Sequence, residues 1–372
     1  MIKCDVAVVG AGPAGCSAAR VCISMGLKTV IIERKRMPRH KACSGILIPD
    51  SVAPIKEYFG ELPDDVMAHP PNIRAMRMHF PNGRCGDIPV NGLLVWRDRL
   101  DAWMCEKSGA EVLDSTSLKS FVEMDDGVNL TCLNSRREDV SVVSQIMIAA
   151  DGGSSFVVKT LQPEIAAQSA WYFALQDTYE CMNDLESGYF HFYCIPEVSL
   201  YSSAYTKDGL LIMDVVVREG DNPTSAMSRF RDFLWKEINV RGENRLRRLG
   251  CKVTYAAPKG LFCFGTNRIL VCGEASGLLN LFGEGISSAI ASGVIAGKAS
   301  VRAVLESIAP GCFYKKDIEY EKLKTQQTFD YRKIFFHGKG AFNFKKGIGF
   351  LNWKDRLLFF QDLLLWMWRL KR

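Results

Sequence analysis

The apolar pattern is clearest at the start of the chain. Residues 4–9 (Cys-Asp-Val-Ala-Val-Val) end in a run of small and β-branched side chains that stops at glycines. That is the pattern of a buried parallel strand. Residues 14–26 read as a helix closing on Gly26, and Thr29 to Glu33 as a second strand, so one βαβ unit fills the first 33 residues. Further strands are expected at 92–96, 110–114, 128–133 and 144–150, with a helix from Arg97 to Glu106. The texture changes over 165–260, where runs such as Tyr189 to Tyr193 and Leu210 to Val217 predict an antiparallel sheet with one helix near 223–238. The βα pattern returns at 268–277 and a helix over 283–306, and there is no repeat or low-complexity linker. This order predicts an α/β fold with a Rossmann-like nucleotide domain over 1–160 and 262–310. A mostly antiparallel β domain for substrate is inserted at 161–261, and a helical basic and apolar tail occupies 311–372.

Composition changes this picture little. With 372 residues, 48% of them hydrophobic and 24% charged, the chain has the balance of a soluble globular protein of two or three domains. No uninterrupted apolar stretch approaches the ~20 residues of a membrane span, and the apolar run at Val6 to Val9 is too short for a signal peptide. A cytosolic location is expected. The 13 cysteines include no Cys-x-x-Cys pair, so neither a disulfide framework nor a metal site is expected.

Gly10-Ala-Gly12-Pro13-Ala14-Gly15 sits where the first strand turns into a helix. Its first glycine permits the tight turn, the second lets backbone approach a pyrophosphate, and the third lets helix pack on strand. The helix N-terminus adds positive dipole to the phosphates. Glu33, 18 residues past Gly15, stands where a ribose 2′-hydroxyl would be bound and a 2′-phosphate repelled. A dinucleotide with a free ribose hydroxyl follows.

Three further segments narrow the cofactor. They are Arg97-Asp-Arg-Leu-Asp-Ala-Trp-Met104, Asp151-Gly-Gly-Ser-Ser155, and Gly273-Glu274-Ala-Ser-Gly277 followed by Gly283-Glu-Gly285-Ile286. With the N-terminal motif they resemble the flavoprotein superfamily with the aromatic-hydroxylase fold. The resemblance implies FAD, with a GR2-type FAD-binding Rossmann-like domain. It places Arg97 near the phosphates or ribityl chain, Asp151 and Glu274 at the cofactor, and the helix begun by Gly283, Gly285 and Ile286 toward the flavin ring.

Within that superfamily, His40-Lys-Ala-Cys43-Ser44-Gly45, just past Glu33-Arg34, is similar to the geranylgeranyl reductase family. The resemblance implies that Arg34, Cys43, Ser44 and Gly45 lie at the cofactor, with Cys43 close to the ring as its cover or as a proton donor. It further implies reduction of carbon–carbon double bonds in a polyprenyl or other hydrophobic substrate, with NAD(P)H or a ferredoxin as electron donor. Tyr201-Ser-Ser-Ala-Tyr205-Thr206 lines up with that family's substrate motif but lacks its tryptophan, phenylalanine and proline. Tyr201 and Tyr205 are candidate substrate residues or strand aromatics packed between sheets. A flavin monooxygenase and an electron-transfer flavoprotein docking to a partner or quinone remain open readings.

The net charge of +6 resides in the tail: 315–372 holds fourteen Lys and Arg against six Asp and Glu, a balance of +8, which leaves −2 for the rest. Residues 351–372 read as a helix with a broad apolar face, preceded by Lys345-Lys346. Such a helix suits peripheral contact of 345–372 with the inner face of a membrane, or packing against protein. No nucleic-acid recognition motif is present.

Overall fold

The computed structural model describes residues 1–79, 85–181, 185–195, 197–280 and 282–330, and the backbone at 336–337 and 341–342. In chain order, β1 (Ile2–Val9), α1 (Pro13–Ser24) and β2 (Thr29–Ile32) form the opening βαβ unit. β3 (Ile46–Leu47), α2 (Pro49–Phe59), β4 (Met67–His79) and β5 (Cys85–Val95) lead to α3 (Arg97–Ser108). β6 (Glu111–Leu113), β7 (Ser117–Glu123), β8 (Val128–Leu133) and β9 (Asp139–Ala149) precede two short helices, α4 (Phe156–Leu161) and α5 (Pro163–Gln168). β10 (Ala170–Cys181), β11 (Tyr189–Tyr193), β12 (Tyr201–Lys207), β13 (Leu210–Arg218), α6 (Pro223–Phe233) and β14 (Gly242–Tyr255) follow. The described part closes with β15 (Ile269–Val271), α7 (Ile286–Glu306), α8 (Gly311–Asp317) and α9 (Glu319–Asp330).

Two sheets organise these elements. The first has the order β6-β2-β1-β9-β8-β7, with β15 also paired to β9. Its pairs among β6, β2, β1, β9 and β15 are parallel, and β7, β8 and β9 form an antiparallel meander. The second half of β1 (Val6 to Val9) and Val30 to Ile32 of β2 are buried apolar runs because helices and the meander cover both faces. α7 lies against α1 so closely that a Cβ on Gly293 would stand 2.2 Å from the Ala14 carbonyl oxygen. By length and composition α7 could cross a bilayer, but two-thirds of its apolar window is buried inside the protein, as in a core helix.

The second sheet runs β14-β10-β13-β12-β11-β4-β5-β3, antiparallel except at β11–β4. α6 packs on one face through Met213, Val215, Val217, Met227 and Phe230. This sheet begins earlier in the chain than the pattern suggests, since β3, β4 and β5 (46–95) belong to it and not to the nucleotide-binding sheet. β4 escapes a periodicity reading because Pro70 and Pro71 interrupt its alternation of buried Ala68, Ile73 and Ala75. The helix expected at 223–238 is α6 continued to Ile238 by a wider π turn. α8 and α9 supply helices after residue 310; the expected helix over 351–372, with Lys345 and Lys346, lies outside the described residues.

Candidate functional site

The glycine loop is tied down by backbone contacts. Gly10 donates to the Ile32 carbonyl at 2.8 Å with φ of 109°, a value that excludes ordinary side chains. A Cβ on Gly15 would meet the Gly10 carbonyl oxygen at 1.9 Å, so α1 can pack on β1 only with glycine there. Gly12 is different: a Cβ there would have only the Arg39 guanidinium nearby, at 3.7 Å. Its face is open, and α1 begins with Pro13 and has no acidic residue in its first turn. An anion can therefore approach the helix N-terminus without repulsion.

Glu33, 4% exposed, accepts hydrogen bonds from Ala11 N and Lys35 N, both at 3.0 Å, and ion-pairs with Arg39 at 3.3 Å. Its two oxygens offer about four lone-pair positions, which leaves capacity for a ribose hydroxyl. Arg39 also reaches Asp101 at 3.1 Å, and Asp101 takes both Arg97 Nε and Nη2 at 2.9 Å. Four charges thus link the end of β2 to the start of α3 beside Gly12. Across the loop, Asp151 Oδ2 caps α4 by accepting from Phe156 N at 2.7 Å, while buried Oδ1 has no hydrogen-bond partner among the described residues. Burial raises the Asp151 pKa, the hydrogen bonds from Ser155, Val157 and Phe156 opposing it. An open Gly12, a helix N-terminus, a nearby guanidinium and an orphaned carboxylate oxygen fit a dinucleotide cofactor.

The segment from Arg39 to Gly45 carries this site toward the second sheet. His40 pairs with Asp98 at 2.8 Å, Lys41 with Glu274 at 3.7 Å, and the Cys43 carbonyl accepts from Gln176 Nε2 at 3.1 Å. Gly45 turns at φ of 68°, its carbonyl accepting from Val95 N at 2.9 Å and its own N donating to Cys43 Sγ at 3.4 Å. A Cβ on Gly45 would stand 2.1 Å from the Val95 carbonyl oxygen and 2.8 Å from Lys207 Nζ.

Cys43 is a hub. Arg97, Tyr201, Tyr205, Lys207 and Cys251 all lie close to it. Burial would lower the Arg97 pKa, but Asp101 and Cys43 reverse this and hold it well above the usual guanidinium range. Behind Cys43, residues of one sheet face form a polar cluster. Gln176 Nε2 donates to Asp214 Oδ1 at 2.8 Å and lies 3.2 Å from the Tyr205 hydroxyl, and Ser203 donates to Asp214 Oδ2 at 3.2 Å. Lys207 donates to the Val95 carbonyl at 2.8 Å, and burial lowers its pKa to about 8. Burial raises the pKa of Asp214 and pushes that of Tyr205 well up. Around the cluster are Phe190, Phe192, Ile212 and Trp96, with Phe192 edge-on to Tyr201 at 4.6 Å.

Residues 5–153 match the family model described as FAD dependent oxidoreductase. The geranylgeranyl diphosphate reductase of Rhodobacter capsulatus is 34% identical over 42% of this chain, a segment that spans 39% of that protein's length. Digeranylgeranylglycerophospholipid reductase 1 of Methanosphaera stadtmanae is 26% identical over 82% of this chain and 77% of its own. A geranylgeranyl bacteriochlorophyll reductase-like protein from Thermoplasma acidophilum superposes with a TM-score of 0.78 at 19% identity, covering 98% of this chain and 100% of that one. The chain is thus similar to FAD-dependent oxidoreductases over its N-terminal part and to geranylgeranyl reductases over parts of its length.

Its cofactor is FAD, and the residues that would hold it are Gly10, Gly12, Pro13, Glu33, Arg39 and Asp151. When bound, FAD supplies two-electron transfer through its ring; the protein supplies orientation and electrostatics. Arg97, Tyr201 and Tyr205 all lie near Cys43. Gly285 caps α7, Ile286 begins it and is buried, and Gly283 turns just before at φ of 74°. Ala14 is covered by Gly273 and by Gly293, so it serves packing between α1 and α7. Arg34 is exposed beyond the Glu33 corner, and Ser44 is half-buried within the turn. Sequence reading missed Arg39, Asp101, Gln176, Lys207 and Asp214. For Asp214 a signal existed: it is the single charge inside the apolar run Leu210 to Val217.

Proposed function

We infer that this flavoprotein reduces carbon–carbon double bonds of a polyprenyl or similar hydrophobic substrate by hydride transfer from reduced FAD. The observation that carries this reading is the Cys43–Gly45 turn, packed between the candidate FAD-binding residues and a sheet face on which aromatic and apolar side chains surround the Gln176–Asp214 cluster. An isolated alkene is weakly polarised, so the site has to hold it tightly and exclude water. Phe192, Tyr201, Ile212 and Trp96 offer such a wall, and both curated relatives carry the names of prenyl-chain reductases. NAD(P)H or a ferredoxin would reload the flavin, and residues 345–372 would meet the membrane from which a lipid substrate is drawn.

The test is anaerobic. The FAD-loaded protein is reduced chemically, geranylgeranyl diphosphate is added, and the flavin spectrum is followed while product is analysed for saturated bonds. Reoxidation together with saturation supports the reading. If product forms only when dioxygen is admitted, the protein is a monooxygenase and the reading is lost.

A further inference from the structure

Alkene reduction needs a proton as well as a hydride, and the cluster behind Cys43 holds several candidates. Lys207 is 1% exposed and its ammonium is directed into the corner between Val95 and Gly45. Tyr205 has no exposure, and its hydroxyl is occupied by Gln176 and Asp214. Tyr201 and Cys251 are half-buried but are intrinsically weak acids, and burial weakens both further. Asp214 is half-buried, so its side chain keeps some access beyond the protein atoms that hold it. Its carboxyl is fixed by Gln176 at 2.8 Å and Ser203 at 3.2 Å, both from neighbouring strands.

We propose that Asp214, anchored by Gln176, Ser203 and Tyr205 at the centre of the sheet face behind Cys43, is the general acid that protonates the substrate alkene. This rests on the reductase reading above. Bound reduced FAD would supply the hydride, its N–H bond giving up the electron pair to one alkene carbon. The Asp214 O–H bond breaks, its proton joins the other carbon, and the bonding pair remains on the carboxylate. Flavin is oxidised, the alkene is reduced, and the carboxylate recovers a proton from water. Burial favours the neutral acid that such a step needs, as a carboxyl in an apolar site is retained in protonated form. The ionisable groups facing Asp214 are Lys207, Tyr201 and Tyr205 of β12 and Cys251 of β14. The hydrogen bonds from Gln176, Tyr205 and Ser203 and the Lys207 ammonium favour the carboxylate, and burial outweighs them.

The experiment compares wild type, Asp214→Asn and Asp214→Glu, each loaded with FAD. Anaerobic reoxidation by geranylgeranyl diphosphate should fall at least about a hundredfold in Asp214→Asn, the usual scale for loss of a general acid. Asp214→Glu should recover part of it. Reoxidation by ferricyanide and binding of the diphosphate to the oxidised enzyme should stay within about twofold of wild type, because neither uses the proton. Wild-type rates should decline as pH rises through the Asp214 pKa. Independently of turnover, the infrared spectrum near neutral pH should contain a protonated carboxyl band that shifts in heavy water and is missing from Asp214→Asn. Retention of wild-type alkene reduction by Asp214→Asn, or absence of that band in wild type, overturns the assignment while leaving the reductase reading intact. If wild type reduces no prenyl substrate yet shows the band, the reductase reading fails and takes the catalytic role with it.

Discussion

Replacing Asp101 by alanine tests the charge network beside Gly12. Asp101 is wholly buried and is the shared acceptor for Arg97 and Arg39. Arg39 is 13% exposed and keeps Glu33 as a partner, so it can adjust. Arg97, 6% exposed at the first position of α3, cannot reach solvent. Stranding one buried charge costs about 3–5 kcal/mol. At about 2–3 °C per kcal/mol for a large domain, the melting temperature of Asp101→Ala should drop by roughly 6–15 °C. The double replacement Arg97→Met with Asp101→Leu removes both charges and fills the volume. It should recover most of the lost stability, since an apolar pair of similar size substitutes for a buried ion pair with little cost. FAD retention should remain at least about tenfold weaker in the double variant, if Arg97 also serves the cofactor. Calorimetry with and without FAD, alongside flavin fluorescence, reads both quantities. A loss below about 1 kcal/mol for Asp101→Ala would show that Arg97 finds another partner and that the network does not hold the site. A double variant as unstable as the single one would equally refute the argument.

Three other outcomes are expected. Gly45→Ala places a methyl 2.1 Å from the Val95 carbonyl at a positive φ, so the turn must shift; FAD should still bind while alkylation of Cys43, followed by peptide mass spectrometry, changes several-fold. Lys207 has a folded-state pKa of about 8 against an ordinary 10.5, so the unfolded chain binds the extra proton in that window and stability rises with pH across it. Urea titrations over that window should show a gain of a few kcal/mol in wild type and none in Lys207→Met. Glu33→Gln exchanges an acceptor oxygen for an amide that repels Ala11 N or Lys35 N; it should weaken FAD binding about tenfold, measured by release of flavin fluorescence on dilution.

Much of the nucleotide-binding half was legible because its constraints are local. Gly10, Gly12, Gly15 and Glu33 lie within one βαβ unit, where turn, helix start and strand end follow from neighbours in the chain. The last four residues of β1 and of β9, and Val30 to Ile32 of β2, are apolar because both faces are covered there, and that continuity shows in the residues themselves. The second sheet was less legible. β4 carries prolines and contributes to a sheet completed more than a hundred residues later by β11 and β12. Which strands pair across such distances depends on packing that periodicity does not encode.

By itself, then, the sequence determined the βαβ unit, the dinucleotide loop with its acidic partner, and the likeness of the Cys43 turn to alkene-reducing flavoproteins. Only the tertiary structure decided that Arg39 and Asp101 join Glu33 to Arg97, and that Gln176, Ser203, Lys207 and Asp214 gather behind Cys43. The physical reason is separation: Gln176 and Cys43 are 133 residues apart and meet only because two sheets pack with one turn between them. A hydrogen bond of that span leaves no periodic trace in either segment, while a glycine at a positive φ or a carboxylate at a strand end imposes its requirement where it stands.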